Sequence, residues 1–529
     1  MMMSLERQES KERDIPEQIG ARTATVASSI FVAKIVSFLL NGAAFVFVAR
    51  LLGPGTYGLY TLALAVAGFF GFFGDFGIGT AFSKFLAEQA HREEWSKMGV
   101  LLSNGYAILL IGSGAFTVAA VALSGPSAQY VFHNPSYAPL VIVAALTIVL
   151  GAMFSVSYSA LIGLGRGKSV VATMSIQSII QSVLAIGLAL LGFGPFAPII
   201  GLVVGYAIGI VFAMYVLFRR TKARFTAPAK KGMIDILSFS VPIAVSNISS
   251  AITSNASLIV LGLLTTSVVV GNFGITSRIS SIIDLVNGSI SLSLLPFFAT
   301  ALARKATSIR ISRFYNYSIY FAFMLVAPVI LFLVVLSTPI TYTLFGGTYK
   351  LAPLYIEVLG VGTLLGIAGG YSSTLLISAN RVKDVMKYNV VIAVVQLALL
   401  FPLVDWLGGL GLAILTFLVS PILVNIFMIR KAQKILGVKL DIARLVRVVV
   451  ADLVSAAFIV PLMLFFNGNF IALIPTALVE QIVLYPVVLS LVKGVTMSDL
   501  DTLRRVTAKI PIGNAIVSLI TAYTSAFMR

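Results

Sequence analysis

Cysteine is absent from the 529 residues, and histidine occurs only as His91 and His133. No disulfide framework or thiolate metal site can therefore form, and two histidines are too few for a histidine-rich metal site. Charge is also scarce. Asp, Glu, Lys and Arg make up 11% of the chain, and the 19 acidic residues are about half as many as the 37 basic ones. No Walker-type glycine loop occurs, so the chain offers no ATP phosphate cradle. Breaks between apolar runs hardly exceed about twenty residues, too few for an inserted domain that folds alone. Enzymes acting on lipid-linked sugars need a large extracytoplasmic loop or acidic metal-binding motifs, and no such constellation emerges. The expectation is a non-enzyme with no catalytic residue, no metal and no cofactor.

What is abundant is apolar surface: 59% of residues are hydrophobic and the mean hydropathy is +1.02. A soluble core cannot absorb that much, so the chain reads as a polytopic membrane protein. Apolar runs recur at 24–49, 57–78, 99–123, 138–163, 170–192, 197–218, 234–263, 268–299, 317–337, 353–379, 388–406, 408–429, 447–466 and 470–492. Each can cross a hydrocarbon core, which takes about 20 residues at about 1.5 Å each. The expected fold is all-α, with about 14 transmembrane helices in two pseudo-symmetric six-helix bundles plus two C-terminal helices.

The net charge of +18 would suggest nucleic acid in a soluble protein, but its placement says otherwise. With the N-terminus inside, every Lys and Arg except Lys34, Arg50, Arg278 and Lys350 falls in the termini or in alternate breaks. Short cytoplasmic loops collect such residues, so both termini are expected to be cytoplasmic, in a multi-pass protein of the cytoplasmic membrane. The basic loops face anionic headgroups, where each charge is worth about 1 kcal/mol, and no nucleic-acid partner is needed. Residues 1–23 read as a mixed-charge tail rather than a cleaved signal. A six-helix bundle is expected over 24–218, a basic linker over 219–233 and a second bundle over 234–430. A basic loop at 431–446, two helices over 447–492 and a tail over 493–529 follow. In that tail, Ser498 with Asp499 and Asp501 reads as a capped surface helix.

An internal repeat supports the two bundles. Gly-Thr-Tyr57-Gly58 resembles Gly-Asn-Phe273-Gly274, and Gly165-Arg166 resembles Asn380-Arg381, at an offset of about 216 residues. Copies of six helices run the same way and relate by an axis along the membrane normal.

Polar residues in the spans are the functional candidates. Lys34 lies about ten residues into the first run, roughly 15 Å deep, where an unmatched ammonium costs several kcal/mol. Ser37 and Asn41 continue its stripe at helical spacing. Arg278 sits at matching depth in the eighth span, followed by Asp284, with Asn272, Thr276, Ser280, Asn287 and Ser291 at near-helical spacing. Six residues separate Arg278 from Asp284, about 240° around a helix, so they do not share a face. The seventh span carries Ser246, Asn247, Ser250, Thr253, Ser254, Asn255 and Ser257, and the fifth carries Gln177 and Gln181. A central hydrophilic cavity lined by Lys34, Asn41, Arg50, Ser250, Asn255, Arg278 and Asp284 is inferred. The alternatives are a snorkelling or carboxylate-paired Lys34, an interhelical hydrogen-bonding role for Arg278, helix packing by the seventh-span stripe, and an interfacial anchor at Arg50. Asp75 can simply mark a membrane boundary, and nothing in the spacing gives Asp452 or Glu480 a partner.

The stretch Ala49-Arg50-Leu51-Leu52-Gly53-Pro54-Gly55-Thr56-Tyr57-Gly58-Leu59-Tyr60, followed by Asp75-Phe76-Gly77-Ile78-Gly79-Thr80-Ala81, resembles the opening signature of the polysaccharide-biosynthesis (O-antigen, oligosaccharidyl-lipid) flippases. These belong to the multidrug/oligosaccharidyl-lipid/polysaccharide exporter superfamily. The resemblance continues through Gly163-Leu164-Gly165-Arg166, Ser240-Val241-Pro242 and Gly408-Gly409-Leu410-Gly411, to about residue 490. It implies a V-shaped pair of six-helix bundles that alternates access to a central cavity. It also implies a cargo of polyprenyl- or dolichyl-linked oligosaccharide. In related lipid II flippases, cations on the first and eighth helices meet the lipid diphosphate, and Lys34 and Arg278 match those places. Lysine in place of arginine there keeps the charge and loses the bidentate geometry. The implied partners are the lipid-linked oligosaccharide, the bilayer and, as an open candidate, a coupling proton or sodium ion, with the protein a monomer. Two rivals remain. A cation-coupled multidrug exporter usually carries a carboxylate on the first helix, where this chain has Lys34. A membrane scaffold for glycosyltransferases would need only the basic loops.

Overall fold

A computed structural model describes residues 36–37, 39–72, 77–91, 95–220, 227–228, 230–303, 307–496 and 499. Among them there are helices and no strand. The expectations for Lys34, Asp75, the N-terminal tail and most of the C-terminal tail lie outside the described residues. Among the described residues, eleven helices are long and apolar enough to cross a membrane. Two more, α8 (Lys230–Leu264) and α9 (Ser267–Ala303), have 35 and 37 residues.

The chain divides into two compact units, Met1–Gly271 and Asn272–Arg529. In the first, α1 (Leu39–Phe72) runs through two expected spans. Gly53 interrupts it with φ +68°, a left-handed conformation that no right-handed helix continues and that glycine adopts without penalty. The expected break therefore survives inside one helical run. After Gly77, also left-handed, comes α2 (Ile78–His91), which hydropathy did not single out. Its face of Ile78, Ala81, Phe82 and Leu86 is fully buried, at the three- and four-residue spacing of one helical stripe. It packs on α3 (Trp95–Ala122), α5 (Ala138–Gly163) and α8, the core also taking Met98, Leu109, Val156, Leu161 and, from α7 (Phe196–Arg220), Leu217. The short α4 (Ser124–Tyr130) links α3 to α5, and α6 (Gly167–Leu190) packs on α7. The division falls after Gly271, so α8 groups with this unit, and His133 Nε2 lies 3.0 Å from the Gly262 carbonyl.

The second unit holds the rest of α9, α10 (Ser308–Val335), α11 (Ser337–Phe345), α12 (Ala352–Ser378) and α13 (Val382–Leu407). Then come α14 (Gly409–Ala413), a π-helical turn (Ile414–Val419), α15 (Ser420–Leu436), α16 (Ile442–Ala457), α17 (Ile459–Phe466) and α18 (Phe470–Leu491). Tyr315, Tyr320, Tyr371, Leu375, Met428 and Val448 form its core.

The expected repeat is visible in hydrogen bonds. Tyr106 OH lies 2.8 Å from Ser157 Oγ, and Tyr315 OH lies 2.6 Å from Ser372 Oγ. Both serines also donate back to their own helices, to the Met153 and Ala368 carbonyls. The turn after α5 has Gly165 at φ +68°, and the turn after α12 has Asn380 at φ +59°. Each closes with a 2.9 Å bond, Arg166 N–H to the Leu161 carbonyl and Arg381 N–H to the Leu376 carbonyl. Asparagine tolerates the left-handed region better than most residues, which lets Asn380 stand where the first unit has glycine.

Candidate functional site

Polar residues of the first unit form a seam between α1 and α6. Asn41 Nδ2 donates to Ser178 Oγ at 3.1 Å, Ser178 Oγ to Gln177 Oε1 at 3.3 Å, and Gln177 Nε2 to Gln181 Oε1 at 2.6 Å. Ser182 Oγ donates to the Leu40 carbonyl at 3.4 Å. Asn41 Oδ1, Ser37 Oγ and Thr173 Oγ1 are buried there without a hydrogen-bond partner. Asn41 is thus bound to a neighbouring helix while keeping one free acceptor. Asn255 of α8 sits against Gly68 of α1, where a Cβ would come 2.7 Å from Asn255 Oδ1. Ser250 is part of α8, and its side chain lies outside the described set. Arg50 is exposed three residues before the Gly53 turn.

In the second unit Arg278 is exposed on α9, two residues before Ser280, the first residue of that helix to line a cavity. That cavity, of about 490 Å³, lies between α9, α12, the π turn and α15. Asp284 lines it and accepts from Ser280 Oγ at 3.2 Å. Asn287, Thr363, Tyr371, Thr416 and Ser420 supply the other polar groups. Ser420 Oγ donates to Gln396 Oε1 at 3.1 Å. Three lining atoms are buried without a partner: Asn287 Oδ1, Tyr371 OH and Thr416 Oγ1. Buried polar atoms left unmatched cost roughly 1–3 kcal/mol each, so a guest able to hydrogen-bond is favoured.

Glycines shape this cavity. At Gly362 a Cβ would fall 1.4 Å from the Phe417 carbonyl oxygen, and at Gly366 it would fall 2.9 Å from Pro421 Cβ. The α12 backbone therefore lies directly on the π turn and α15. Gly370, by contrast, has nothing within 4 Å of its Cβ position and opens onto the space. π turns insert one extra residue into a helix and are frequent at functional sites; here the turn brings Thr416 and Phe417 to the lining.

Of the expected residues, Asn41 on α1 and Asn255 on α8 fall in the first unit, Asn255 meeting α1 at Gly68, well along the helix from Asn41, and Arg278 and Asp284 lie on α9. Ser280, Asn287 and Ser291 belong to the same α9 stripe noted in the sequence. Thr363, Tyr371, Thr416 and Ser420 were missed. Their signal, isolated hydroxyls in apolar runs, has no period of its own. No group of three His, Cys, Asp or Glu able to hold a metal occurs among the described residues.

A family model described as polysaccharide biosynthesis protein matches residues 25–302. No curated protein matches. Among solved structures, the chain is similar to lipid II flippase MurJ in an inward closed conformation, at a TM-score of 0.68 and 15% identity, covering 88% of this chain and 98% of that one. It is also similar to a multidrug resistance MATE family transporter of the MOP superfamily in an inward-facing conformation, at a TM-score of 0.63 and 18% identity, covering 77% and 98%. At such identities these likenesses establish the fold alone.

Proposed function

The chain belongs to the polysaccharide biosynthesis protein family, and from that premise we propose that it is a flippase carrying a lipid-linked oligosaccharide across the cytoplasmic membrane by alternating access. The observation that carries this reading is the reach of the family match, residues 25–302. It takes in Lys34, the α1–α6 polar seam, and α8 and α9 with Arg278 and Asp284. A phosphate or diphosphate head cannot cross hydrocarbon unaided, because desolvating the charge costs far more than thermal energy. Polar helices in an otherwise apolar protein replace that water. In this proposal Lys34 and Arg278 meet the anionic head group, Arg50 adds charge at the outer rim, and Asn41, Ser250, Asn255 and Asp284 bind sugar hydroxyls or orient the cations. The chain's part is transport, and no bond is made or broken.

The test is flipping of a lipid-diphosphate oligosaccharide in liposomes, read by enzyme accessibility, with wild type beside the Lys34→Ala, Arg278→Ala double variant. Flipping by wild type alone supports the assignment. Absence of flipping by both, with drug efflux by wild type, would move the protein to the exporter reading.

One observation favours that second reading: Asp284 lines the second-unit cavity beside three unmatched oxygens. Such an acceptor-rich space suits a proton or a small cation as the coupling ion. Asp284→Asn should then abolish dependence of transport on an imposed ion gradient. Unchanged dependence would remove the cavity from coupling.

A further inference from the structure

A second, smaller pocket lies where α10, α16 and the end of α18 meet, lined by Tyr317, Asp441, Ala443, Arg444, Arg447, Lys493, Gly494 and Thr496, with a volume of about 290 Å³. Its cations are unequal. Arg444 forms an ion pair with Asp499, which is itself 1% exposed, and its guanidinium stacks 3.8 Å over the Tyr320 ring. Asp441 caps α16 by accepting the Arg444 backbone N–H at 3.1 Å. Arg447 and Lys493 are exposed and appear in no ion pair among the described residues. Arg447 Nη1 reaches the Lys493 carbonyl at 3.4 Å, which keeps the two residues side by side.

Lys493 occupies a costly backbone position. Its φ is +53°, and its N–H and that of Gly494 close the end of α18 on the Ser490 and Leu489 carbonyls. Glycine is the usual residue at such a left-handed cap. A lysine there gives up stability and in return places an ammonium at the pocket mouth. The stretches Ser308–Val335, Ile442–Phe466 (α16 continued by α17) and Phe470–Leu491 are each long and apolar enough to span, so the ends that meet here lie at a membrane face, within reach of headgroups.

We propose that Arg447 and Lys493, backed by Arg444 and Tyr317, bind the phosphate of an anionic phospholipid headgroup and so anchor α16 and α18 to the membrane face. The site is confined to the second unit and is independent of the flippase reading.

The test uses the full chain in nanodiscs, with co-purified phosphatidylglycerol and phosphatidylcholine counted by native mass spectrometry. Wild type should retain phosphatidylglycerol over phosphatidylcholine by roughly tenfold, the worth of one to two interfacial charges. Arg447→Gln with Lys493→Gln should bring the ratio near parity. Lys493→Gly is the sharper variant: it relieves the left-handed strain, so its melting temperature should rise while the preference falls. Neutralising two other exposed lysines, Lys383→Gln with Lys387→Gln, should leave the preference intact. Loss of the preference in that control as well would mean diffuse surface charge and overturn the site, as would its retention in Lys493→Gly. Displacement of the lipid by millimolar inorganic phosphate would assign the pocket to a soluble anion and overturn the lipid assignment.

Discussion

Charge at depth is the residue-scale argument for transport. One hydrogen bond to a charged group is worth about 1.5–3 kcal/mol, so Lys34→Ala should slow flipping by roughly tenfold or more, while Lys34→Arg keeps most of it. Equal failure of both variants in a normally folded protein would point to side-chain shape instead. Asn41 makes a contrasting case, since its Nδ2 is committed to Ser178. Interhelical polar pairs in membranes average about 0.6 kcal/mol. A double-mutant cycle of Asn41→Ala and Ser178→Ala should therefore return a coupling of that order in thermal unfolding. A coupling near zero would return Asn41 to the list of substrate ligands. The α9 stripe of Ser280, Asp284, Asn287 and Ser291 was readable because four polar residues recur at helical spacing in an apolar run. Thr363, Thr416 and Ser420 were not, because each stands alone. Their convergence depends on how α12 and the π turn are rotated against α9, and packing decides that.

At the scale of the element, α12 is a helix whose contact side is made of glycine. A Cβ at Gly362 would overlap the Phe417 carbonyl, whereas one at Gly370 meets nothing. Overpacking a tight contact costs about 1–3 kcal/mol and backbone clashes cost more, so Gly362→Ala should lower the melting temperature sharply or prevent folding. Gly370→Ala should fold and merely narrow the cavity. The pair is checked by fluorescence-detected unfolding in detergent, and equal stability of the two variants would contradict the close approach of α12 to the π turn. Helix existence was written plainly in hydropathy; helix edges were not. Gly53 parts α1 where the turn was expected, but the chain stays helical on both sides because only one residue needs to be left-handed. The amphipathic α2 escaped notice because a buried stripe on 14 residues is too short for a span and too polar for an apolar window.

At the scale of the whole molecule, the two units share a local hydrogen-bonding pattern. The Tyr106–Ser157 and Tyr315–Ser372 pairs, 209 and 215 residues apart in sequence, mark matching positions that composition alone could not reveal. Direction across the membrane is the remaining large-scale inference, and it rests on charge: basic residues occupy alternate breaks. Since the natural chain has no cysteine, single cysteines can be introduced without background. Lys168 and Lys383 begin α6 and α13 and are exposed, as are Lys350 before α12 and Leu191 after α6. If positive charge is retained inside, Lys168→Cys and Lys383→Cys should react with an impermeant maleimide only after the membrane is opened. Lys350→Cys and Leu191→Cys should react in intact cells. Because an even number of crossings separates Lys168 from Lys383 in the expected repeat, the two must label alike. Labelling from opposite sides would mean an odd number of spans between them. The second unit would then be inverted relative to the first, and a same-direction repeat could not hold.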